Sequence, residues 1–350
     1  MSAVTPVLER EIGEQPEALA HTMEACLPEA RALGSDLARR DVSYVLIAAR
    51  GSSDNAGVYA TYLFPAFNGL PVALATPSLY TFYHRPPRLR GALVIGISQS
   101  GQSEDVVEVL TDARKQGALT AAVTAEGSSP LARAAERLLH LQTGSEKAVA
   151  ATKTFTSSLA ALAVLSAALA NDTDRLEELK RLPDIVSQTI QSASGPASLK
   201  AERYRYADRC VVIGRGYSYC AAMEIALKLK ELTYVTAEPY SSADFQHGPM
   251  AMLQPGFPVV LVAPRGALTP HLTDFAGQLS QREAEVIAIS DVEEILGRAN
   301  VRLPLPAGCP EWLAPVASVI PGQLLGLHLA SAKGLDPDRP RGLHKVTITR

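Results

Sequence analysis

The chain has 350 residues, of which 47% are hydrophobic and 20% charged, and its formal net charge is −3. This length allows two ordinary domains that each bury a core, and the composition excludes a disordered chain. Without net positive charge or a Lys/Arg run, there is no basis for binding nucleic acid or an anionic membrane.

The cysteines and the apolar stretches indicate a cellular location. Four cysteines lie far apart without C-x-x-C spacing, at Cys26, Cys210, Cys220 and Cys309. This pattern argues against a zinc site or a disulfide framework and is typical of a reducing compartment. No signal-peptide hydrophobic region follows Met1, and the most apolar stretch, 159–170, is too short to span a bilayer. We therefore expect a cytoplasmic protein.

Three short apolar runs in the first half, each bounded by small residues, predict buried parallel strands. Helical patterns precede the first run and follow the first two. The predicted strands are 44–49, 92–97 and 119–124, and the predicted helices are 8–40, 54–63 and 104–116. Strand, loop and helix in alternation are typical of a doubly wound α/β sheet.

The second half repeats the first under a shift of 165 positions. Arg50-Gly51-x-Ser53 then falls on Arg215-Gly216-x-Ser218, and the strand ending at Ser100-Gly101 falls on 259–262, which ends at Arg265-Gly266. A helical connector, about 154–194, joins the copies. We predict two tandem flavodoxin-like α/β domains. The predicted parts are an N-terminal helical segment (1–40), a first domain (41–175), a second domain (195–335) and a C-terminal tail (336–350).

The loop after the second strand, Ser98-Gln99-Ser100-Gly101-Gln102-Ser103, is the strongest candidate binding site. It precedes a predicted helix, whose N-terminal N–H groups and dipole favour an anion, and Gly101 allows close approach. The loop lacks the lysine and the spacing of a nucleotide P-loop, so we interpret it as a site for a single phosphate. The same residues also fit an ordinary strand–helix turn with capping serines.

The second copy differs at the corresponding loop, where it has Ala263-Pro264-Arg265. Proline has no N–H to offer an anion, so we assign the phosphate to the first copy. Ser52 and Ser53 follow the neighbouring strand and should face the same edge of the sheet. Small residues from 148 to 154, with Val149 and Ala151 among them, would let a ligand lie against the main chain, or would simply begin an Ala-rich helix.

Four further residues are candidates for chemistry. Lys228 and Glu231 are three apart on a predicted helix, where they form either a solvated pair or a partly buried general base with its lysine. His247 precedes Gly248-Pro249, which defines a tight turn, although a lone histidine is often structural. Lys345 lies near the C-terminus, where a lysine is usually a solvated surface group.

These motifs together resemble the double sugar-isomerase (SIS) domain family, over nearly the whole chain. Within it they are similar to the isomerase half of the glutamine:fructose-6-phosphate amidotransferases and, more closely, to the SIS-type glucosamine-6-phosphate deaminases. Segment 227–231 matches the family's catalytic helix, 247–249 its ring-opening histidine loop, and 336–345 its lysine-bearing tail. The residues that match its phosphate loop and companion loop are Ser98, Gln99, Ser100, Ser103, Ser52 and Ser53.

The resemblance implies an aldose–ketose shift on an amino-sugar phosphate, without a metal or another cofactor, in a homodimer with shared active sites. Glu231 would carry a proton between C1 and C2, assisted by Lys228. His247 would open the sugar ring, reaching in from the neighbouring subunit. Lys345 would close over the site and could form an imine with the open-chain ketose.

The chain departs from the amidotransferases in ways that favour the deaminase branch. Its first cysteine is Cys26, so the glutaminase nucleophile is not expected, and Ala151 and Gln102 replace a serine and a glutamate of that group. We predict conversion of glucosamine 6-phosphate to fructose 6-phosphate and ammonia. The alternatives are another phosphosugar isomerase, a fructosamine-phosphate deglycase, a synthase-type isomerase without glutaminase, and a non-catalytic sugar-phosphate sensor.

Overall fold

The computed structural model describes residues 5–345, and these divide into two compact units. One comprises residues 17–146, 153–181 and 344–345 and contains the serine-rich loop; we call it the serine-loop unit. The other comprises residues 5–16, 147–152 and 182–343 and contains Glu231; we call it the glutamate unit. Neither unit is one continuous stretch of the sequence.

Each unit is built on one five-stranded parallel sheet. The serine-loop unit holds β1 (Tyr44–Ala48), β2 (Val72–Leu74), β3 (Ala92–Ile97), β4 (Leu119–Thr124) and β5 (Arg137–His140). The glutamate unit holds β6 (Arg209–Gly214), β7 (Thr236–Ser241), β8 (Pro258–Val262), β9 (Glu285–Ser290) and β10 (Val301–Pro304). The strand orders are β2-β1-β3-β4-β5 and β7-β6-β8-β9-β10, which are the same topology twice. The predicted flavodoxin-like fold is therefore confirmed.

Helices connect the strands and flank the sheets. In the first half of the chain they are α1 (Val7–Gly13), α2 (Gln15–Arg39), α3 (Ser52–Asn68), α4 (Ser78–Thr81), α5 (Glu104–Lys115), α6 (Pro130–Ala134) and α7 (Lys153–Leu169). In the second half they are α8 (Thr173–Lys180), α9 (Leu182–Ala201), α10 (Tyr219–Thr233), α11 (Ser242–Gln246), α12 (Thr269–Gln281), α13 (Glu293–Gly297) and α14 (Ala314–Ala332).

The predicted strands and helices of the first copy are confirmed as β1, β3 and β4 and as α3 and α5. The predicted N-terminal helix is divided at Glu14 into α1 and α2, and the predicted connector is three helices, α7 to α9. The edge strand β2 was missed because it has only three residues, and Ala73 and Leu74 are exposed, so it lacks the buried apolar run that identified its neighbours.

The duplication is confirmed in the positions of the strands. β1 and β6 begin at Tyr44 and Arg209, and β3 and β8 begin at Ala92 and Pro258, so the predicted shift holds to within one residue. Each first strand lies beside the second and third strands of its own sheet. The carboxyl ends of β1 and β3 are thus adjacent, as are those of β6 and β8, and each pair forms an edge at which parallel sheets bind ligands.

The core fixes where these edges lie. All six residues of β3 are buried, and Gly96 in that strand faces Leu110 of α5 and Leu131 of α6. A Cβ atom at Gly96 would lie 2.7 Å from Leu110 Cδ1, so a larger residue here would require the leucine side chains of α5 and α6 to shift. Close packing here places the first turn of α5 directly after the serine-rich loop.

The helices and the potential metal ligands were compared with what a membrane span and a metal site require. Within residues 5–345, no helix is long and apolar enough to cross a membrane. The same residues contain no group of three or more His, Cys, Asp or Glu side chains that could hold a metal ion.

Candidate functional site

The serine-rich loop connects β3 to α5 and is held by its own hydroxyl groups. The Oγ atoms of Ser98 and Ser103 lie 3.3 Å apart, and Gly101 N donates to Ser98 Oγ at 3.2 Å. Ser100 Oγ accepts from Gln102 N at 3.3 Å. Ser103 precedes α5 without capping it through its side chain, so its hydroxyl remains beside the loop. The backbone and hydroxyl groups thus meet at the positive end of a twelve-residue helix, a suitable place for an anion.

Gly101 gives this loop its shape. Its φ is +61°, and a Cβ atom on it would lie 2.1 Å from Ser129 Oγ, which caps α6. The peptide groups on both sides are also tied down, since Ala125 N donates to Gln99 O and Leu131 N to Gly101 O, each at 3.1 Å. A side chain at position 101 therefore cannot be accommodated without moving the loop.

We expect Gly101→Ala to weaken sugar-phosphate binding at least tenfold. The matched control is Gly117→Ala, where φ is +80° but no atom would lie within 4 Å of the added Cβ. The control incurs only the left-handed backbone cost, about 1–2 kcal/mol of stability, whereas Gly101→Ala also displaces the loop. Isothermal titration with glucosamine 6-phosphate measures both variants. Equal affinities in the two would show that the loop does not hold the phosphate.

The neighbouring loop, after β1, is linked to the serine-rich loop by an ion pair. Arg50 Nε lies 2.8 Å from Asp105 Oδ2, and the Asp105 side chain is 1% exposed at the start of α5. Ser52 and Ser53 begin α3, next to Arg50. Burial raises the pKa of Asp54 above its ordinary value, although Arg50 acts in the opposite direction. The structure thus places both predicted serine groups at one edge of one sheet.

In the glutamate unit the corresponding loop is closed by the protein's own carboxylates. Asp291 Oδ1 accepts from Arg265 N at 2.6 Å, and Glu311 Oε2 accepts from Ala267 N at 2.9 Å. These are backbone donors of the kind that an anion would need. The acidic side chains already use them, which agrees with the prediction that only the first copy holds a phosphate.

The glutamate unit also replaces the Arg50–Asp105 ion pair. Arg215, the counterpart of Arg50, places Nη1 2.8 Å from His271 Nε2 near the start of α12, and Ser242 Oγ lies 3.0 Å from the same nitrogen. A guanidinium group only donates, so Nε2 accepts and the ring is neutral. Burial, followed by the charge of Arg215, lowers the pKa of His271 below its ordinary value of 6.5, while Asp274 opposes the shift.

We expect the glutamate unit to lose stability as the pH falls below about 6.5. Because the pKa of His271 is lower in the folded than in the unfolded chain, the unfolded chain binds this proton more readily. The stabilising contribution is therefore present above the unfolded pKa and is lost as the pH falls through the folded one. His328, whose pKa burial also lowers, acts in the same direction. Urea unfolding at several pH values between 5 and 8 gives the free energy of unfolding at each pH. This free energy should change less with pH in His271→Gln than in the wild type. An unchanged pH dependence would contradict the role of His271.

Helix α10 carries a line of three charged residues. Lys228 Nζ lies 2.6 Å from Glu231 Oε2 and 3.3 Å from Glu224 Oε1. The Lys228 and Glu224 side chains are 1% and 0% exposed, whereas Glu231 is 23% exposed. Burial acts to lower the pKa of Lys228, but the two carboxylates outweigh it, so the pKa lies above its ordinary value. The lysine is thus a buried cation that links a hidden carboxylate to an accessible one.

His247 follows α11 and lies on the surface of the glutamate unit. Its backbone N donates to Asp244 O at 3.0 Å, and the side chain is exposed. Gly248, with φ of +135°, turns the chain into Pro249, as the Gly-Pro pair predicts. Among residues 5–345, the ion pairs described for Lys228 are with Glu224 and Glu231 and do not include His247.

Val149 and Ala151 belong to a short segment of the glutamate unit that a buried carboxylate holds. Glu11, 1% exposed, accepts from Lys147 N at 2.6 Å and from Ala148 N at 3.1 Å. Val149 and Ala151 remain partly exposed. The segment is therefore anchored at its start and open where the sequence predicts contact with a ligand.

Lys345 is not a solvated surface lysine. Its Nζ lies 2.7 Å from Glu146 Oε2 in the serine-loop unit, and the Glu146 side chain is 0% exposed. Nothing in the sequence indicated this pair, since its members are 199 positions apart. Glu224 was also missed, although its position four residues before Lys228, one helical turn away, could have identified it.

Known proteins share this arrangement of two α/β domains. The family model described as SIS domain matches residues 40–168 and 204–331. The chain belongs to the SIS domain family. A glutamine–fructose-6-phosphate aminotransferase (isomerizing) from Xanthomonas campestris pv. campestris is 34% identical over 97% of this chain and 59% of its own length. The chain thus spans somewhat more than half the length of the curated relatives it matches.

Solved structures agree with this family. The C-terminal domain of glucosamine-fructose-6-phosphate aminotransferase from Francisella tularensis has a TM-score of 0.87 and 30% identity, covering 97% of this chain and 99% of that one. The glucosamine-6-phosphate deaminase of Thermotoga maritima has a TM-score of 0.75 at 20% identity, covering 95% of this chain and 100% of that one, and shows the shared fold. The two SIS domains contain the two sheets, while Lys345 lies beyond both matched ranges.

Proposed function

We propose that this SIS protein is a phosphosugar isomerase that converts glucosamine 6-phosphate and water to fructose 6-phosphate and ammonia. The observation that carries the proposal is the arrangement on α10, where a partly exposed Glu231 is paired with the fully buried, charged Lys228. A carboxylate held this way can accept and return a proton without leaving its place.

The chemistry needs one proton moved between adjacent carbons. In the open-chain aldose, Glu231 would remove the proton from C2, and the C1 carbonyl oxygen would take up the electron pair as an enolate. Return of the proton to C1 gives a C2 imine, and water then replaces nitrogen at C2, releasing ammonia and leaving the ketose. Lys228 would hold Glu231 in position, because its ammonium nitrogen lies 2.6 Å from Glu231 Oε2.

The other residues would bind and prepare the substrate. Ser98, Gln99, Ser100 and Ser103 would hold the phosphate at the start of α5, with Ser52 and Ser53 beside them. His247, exposed on its own unit, would open the ring in the site of a second copy, and we propose a homodimer for this reason. Lys345 would close over the open-chain sugar.

One feature supports deamination over the glutamine-dependent reaction named for the curated relatives. Ala151 and Gln102 stand where the amidotransferase pattern has a serine and a glutamate. We place the reaction in the cytoplasm.

The test is incubation of the purified chain with glucosamine 6-phosphate while ammonia and fructose 6-phosphate are measured. We expect equal amounts of both products, without added glutamine or metal. Parallel reactions contain fructosamine 6-phosphate and fructose 6-phosphate with ammonia. Turnover of fructosamine 6-phosphate alone would indicate a deglycase and overturn the proposal, and binding without turnover of any substrate would indicate a sensor.

A further inference from the structure

Glu146 is a fully buried carboxylate in the serine-loop unit, and it accepts hydrogen bonds from Thr154 and Lys345. Its Oε1 accepts from Thr154 N at 3.1 Å, and its Oε2 accepts from Thr154 Oγ1 at 2.8 Å and from Lys345 Nζ at 2.7 Å. Thr154 is the second residue of α7, a helix of 17 residues, so the carboxylate also lies at the positive end of a long helix. Lys345 is its charged partner from the end of the chain.

Only one of these donors, Lys345, belongs to the C-terminal tail. If Lys345 moved away, the Thr154 amide and hydroxyl would still hold the carboxylate, and the helix dipole would still favour its charge. The lysine side chain is 24% exposed, so solvent already reaches it. The ion pair is therefore one that can open without leaving Glu146 as an unsatisfied buried charge, which would otherwise be costly.

The segment before Lys345 is held by separate contacts. Arg341 N donates to Tyr234 Oη at 2.7 Å, and the Arg341 guanidinium lies 4.6 Å from the centre of the Tyr234 ring. Gly342, with φ of +73°, follows this anchor. Three residues separate Arg341 from Lys345 in the sequence.

We propose that Glu146 is the positioning residue that docks the C-terminal tail by holding the Lys345 ammonium group. The ion pair keeps the Lys345 ammonium group in a defined place beside Glu146. The docking role stands on the contacts alone, whereas its effect on turnover rests on the proposed function.

The docking role is tested by the reactivity of the Lys345 amine. Pulses of acetic anhydride are applied to the wild type, Glu146→Gln and Glu146→Asp, and acetylation at each lysine is measured by mass spectrometry. Because a paired ammonium group reacts slowly, we expect Lys345 acetylation to rise on the order of tenfold in Glu146→Gln and less in Glu146→Asp. Lys333, which donates to Ala207 O, serves as the internal reference. Thr154→Val, which removes one donor to Glu146 but leaves the ion pair, should keep Lys345 slow.

A second variant guards against misfolding of Glu146→Gln. Lys345→Met leaves Glu146 its two Thr154 donors and should speed hydrogen exchange at the amides of 342–345. Unchanged Lys345 acetylation in Glu146→Gln, or unchanged tail exchange in Lys345→Met, would overturn the proposal.

Steady-state kinetics of the Glu146 variants distinguish failure of the docking role from failure of the proposed function. For glucosamine 6-phosphate, we expect Glu146→Gln to lower kcat about tenfold while KM changes less than twofold, because the phosphate contacts lie elsewhere. Partial recovery of kcat in Glu146→Asp distinguishes positioning from a general loss of structure. If the wild type does not turn over this substrate, the proposed function fails, and the acetylation rates still decide the docking role.

Discussion

Glu231→Gln should lower kcat for glucosamine 6-phosphate by about 10²–10⁴-fold while leaving the affinity for the sugar phosphate nearly intact. Glutamine has almost the same shape as glutamate and can still accept from Lys228 Nζ, which lies 2.6 Å from Glu231 Oε2. It cannot accept and return the proton of C2. The loss should therefore appear in kcat and not in KM.

The matched control is Glu238→Gln, which changes an exposed carboxylate of the same unit. Glu238 accepts from Tyr240 Oη at 2.7 Å and has no part in the proposed reaction. Coupled assays of fructose 6-phosphate formation compare the two variants. If Glu231→Gln retained wild-type turnover, the proton-transfer role would belong to another residue.

The largest effect on stability should come from Lys228→Met, which we expect to lower the free energy of unfolding by about 3–5 kcal/mol. The substitution removes the cation that lies between two carboxylates, of which Glu224 is 0% exposed. Taking this cation away from a buried carboxylate costs more than the lost packing of the lysine chain.

Urea unfolding followed by circular dichroism measures this loss. The double variant Glu224→Gln, Lys228→Met should recover part of the stability, because it removes the buried charge together with its partner. If Lys228→Met lowered the free energy of unfolding by less than about 1 kcal/mol, the Lys228–Glu224 ion pair would contribute no more than an exposed salt bridge does. That result would contradict the importance of the buried pair for stability.

Much of the fold was predictable because its central strands carry a distinctive pattern. β1, β3 and β4 are continuous apolar runs ending in small residues, and the same pattern at β6, β8 and β9 shows the repeat. The edge strands β2 and β10 have three and four residues, and β2 has no buried residue, so neither forms an apolar run that the sequence pattern could identify. The doubly wound topology could still be predicted, because the alternation of central strands and helices indicates parallel strands even when the edge strands are not recognised.

The candidate site was predictable only where its residues are neighbours in the sequence. The Ser98–Ser103 loop and the Lys228–Glu231 spacing are local, and the structure brings each set together. The Arg50–Asp105 and Glu146–Lys345 pairs join distant segments, so no local pattern predicts them. His247 keeps its predicted turn but has no described contact that assigns its role.

The two corresponding loops of the duplicated fold differ in whether their backbone donors are available to a ligand. In the serine-loop unit, backbone and hydroxyl donors surround Gly101, whereas in the glutamate unit Asp291 and Glu311 occupy the corresponding donors. Carboxylates that accept from these backbone N–H groups leave them unavailable to a bound anion. The serine-rich loop is thus the site that we assign to the phosphate.

The central claim is removal of the C2 proton of an amino-sugar phosphate, and the fate of a label at C2 tests it most directly. Glucosamine 6-phosphate deuterated at C2 is incubated with the wild type and with Glu231→Gln, and the sugars are followed by NMR and mass spectrometry. We expect the wild type to remove deuterium from C2 and to form fructose 6-phosphate with the label at C1 or in the solvent, while Glu231→Gln retains the label at C2. Retention of the C2 deuterium by the wild type would contradict the account.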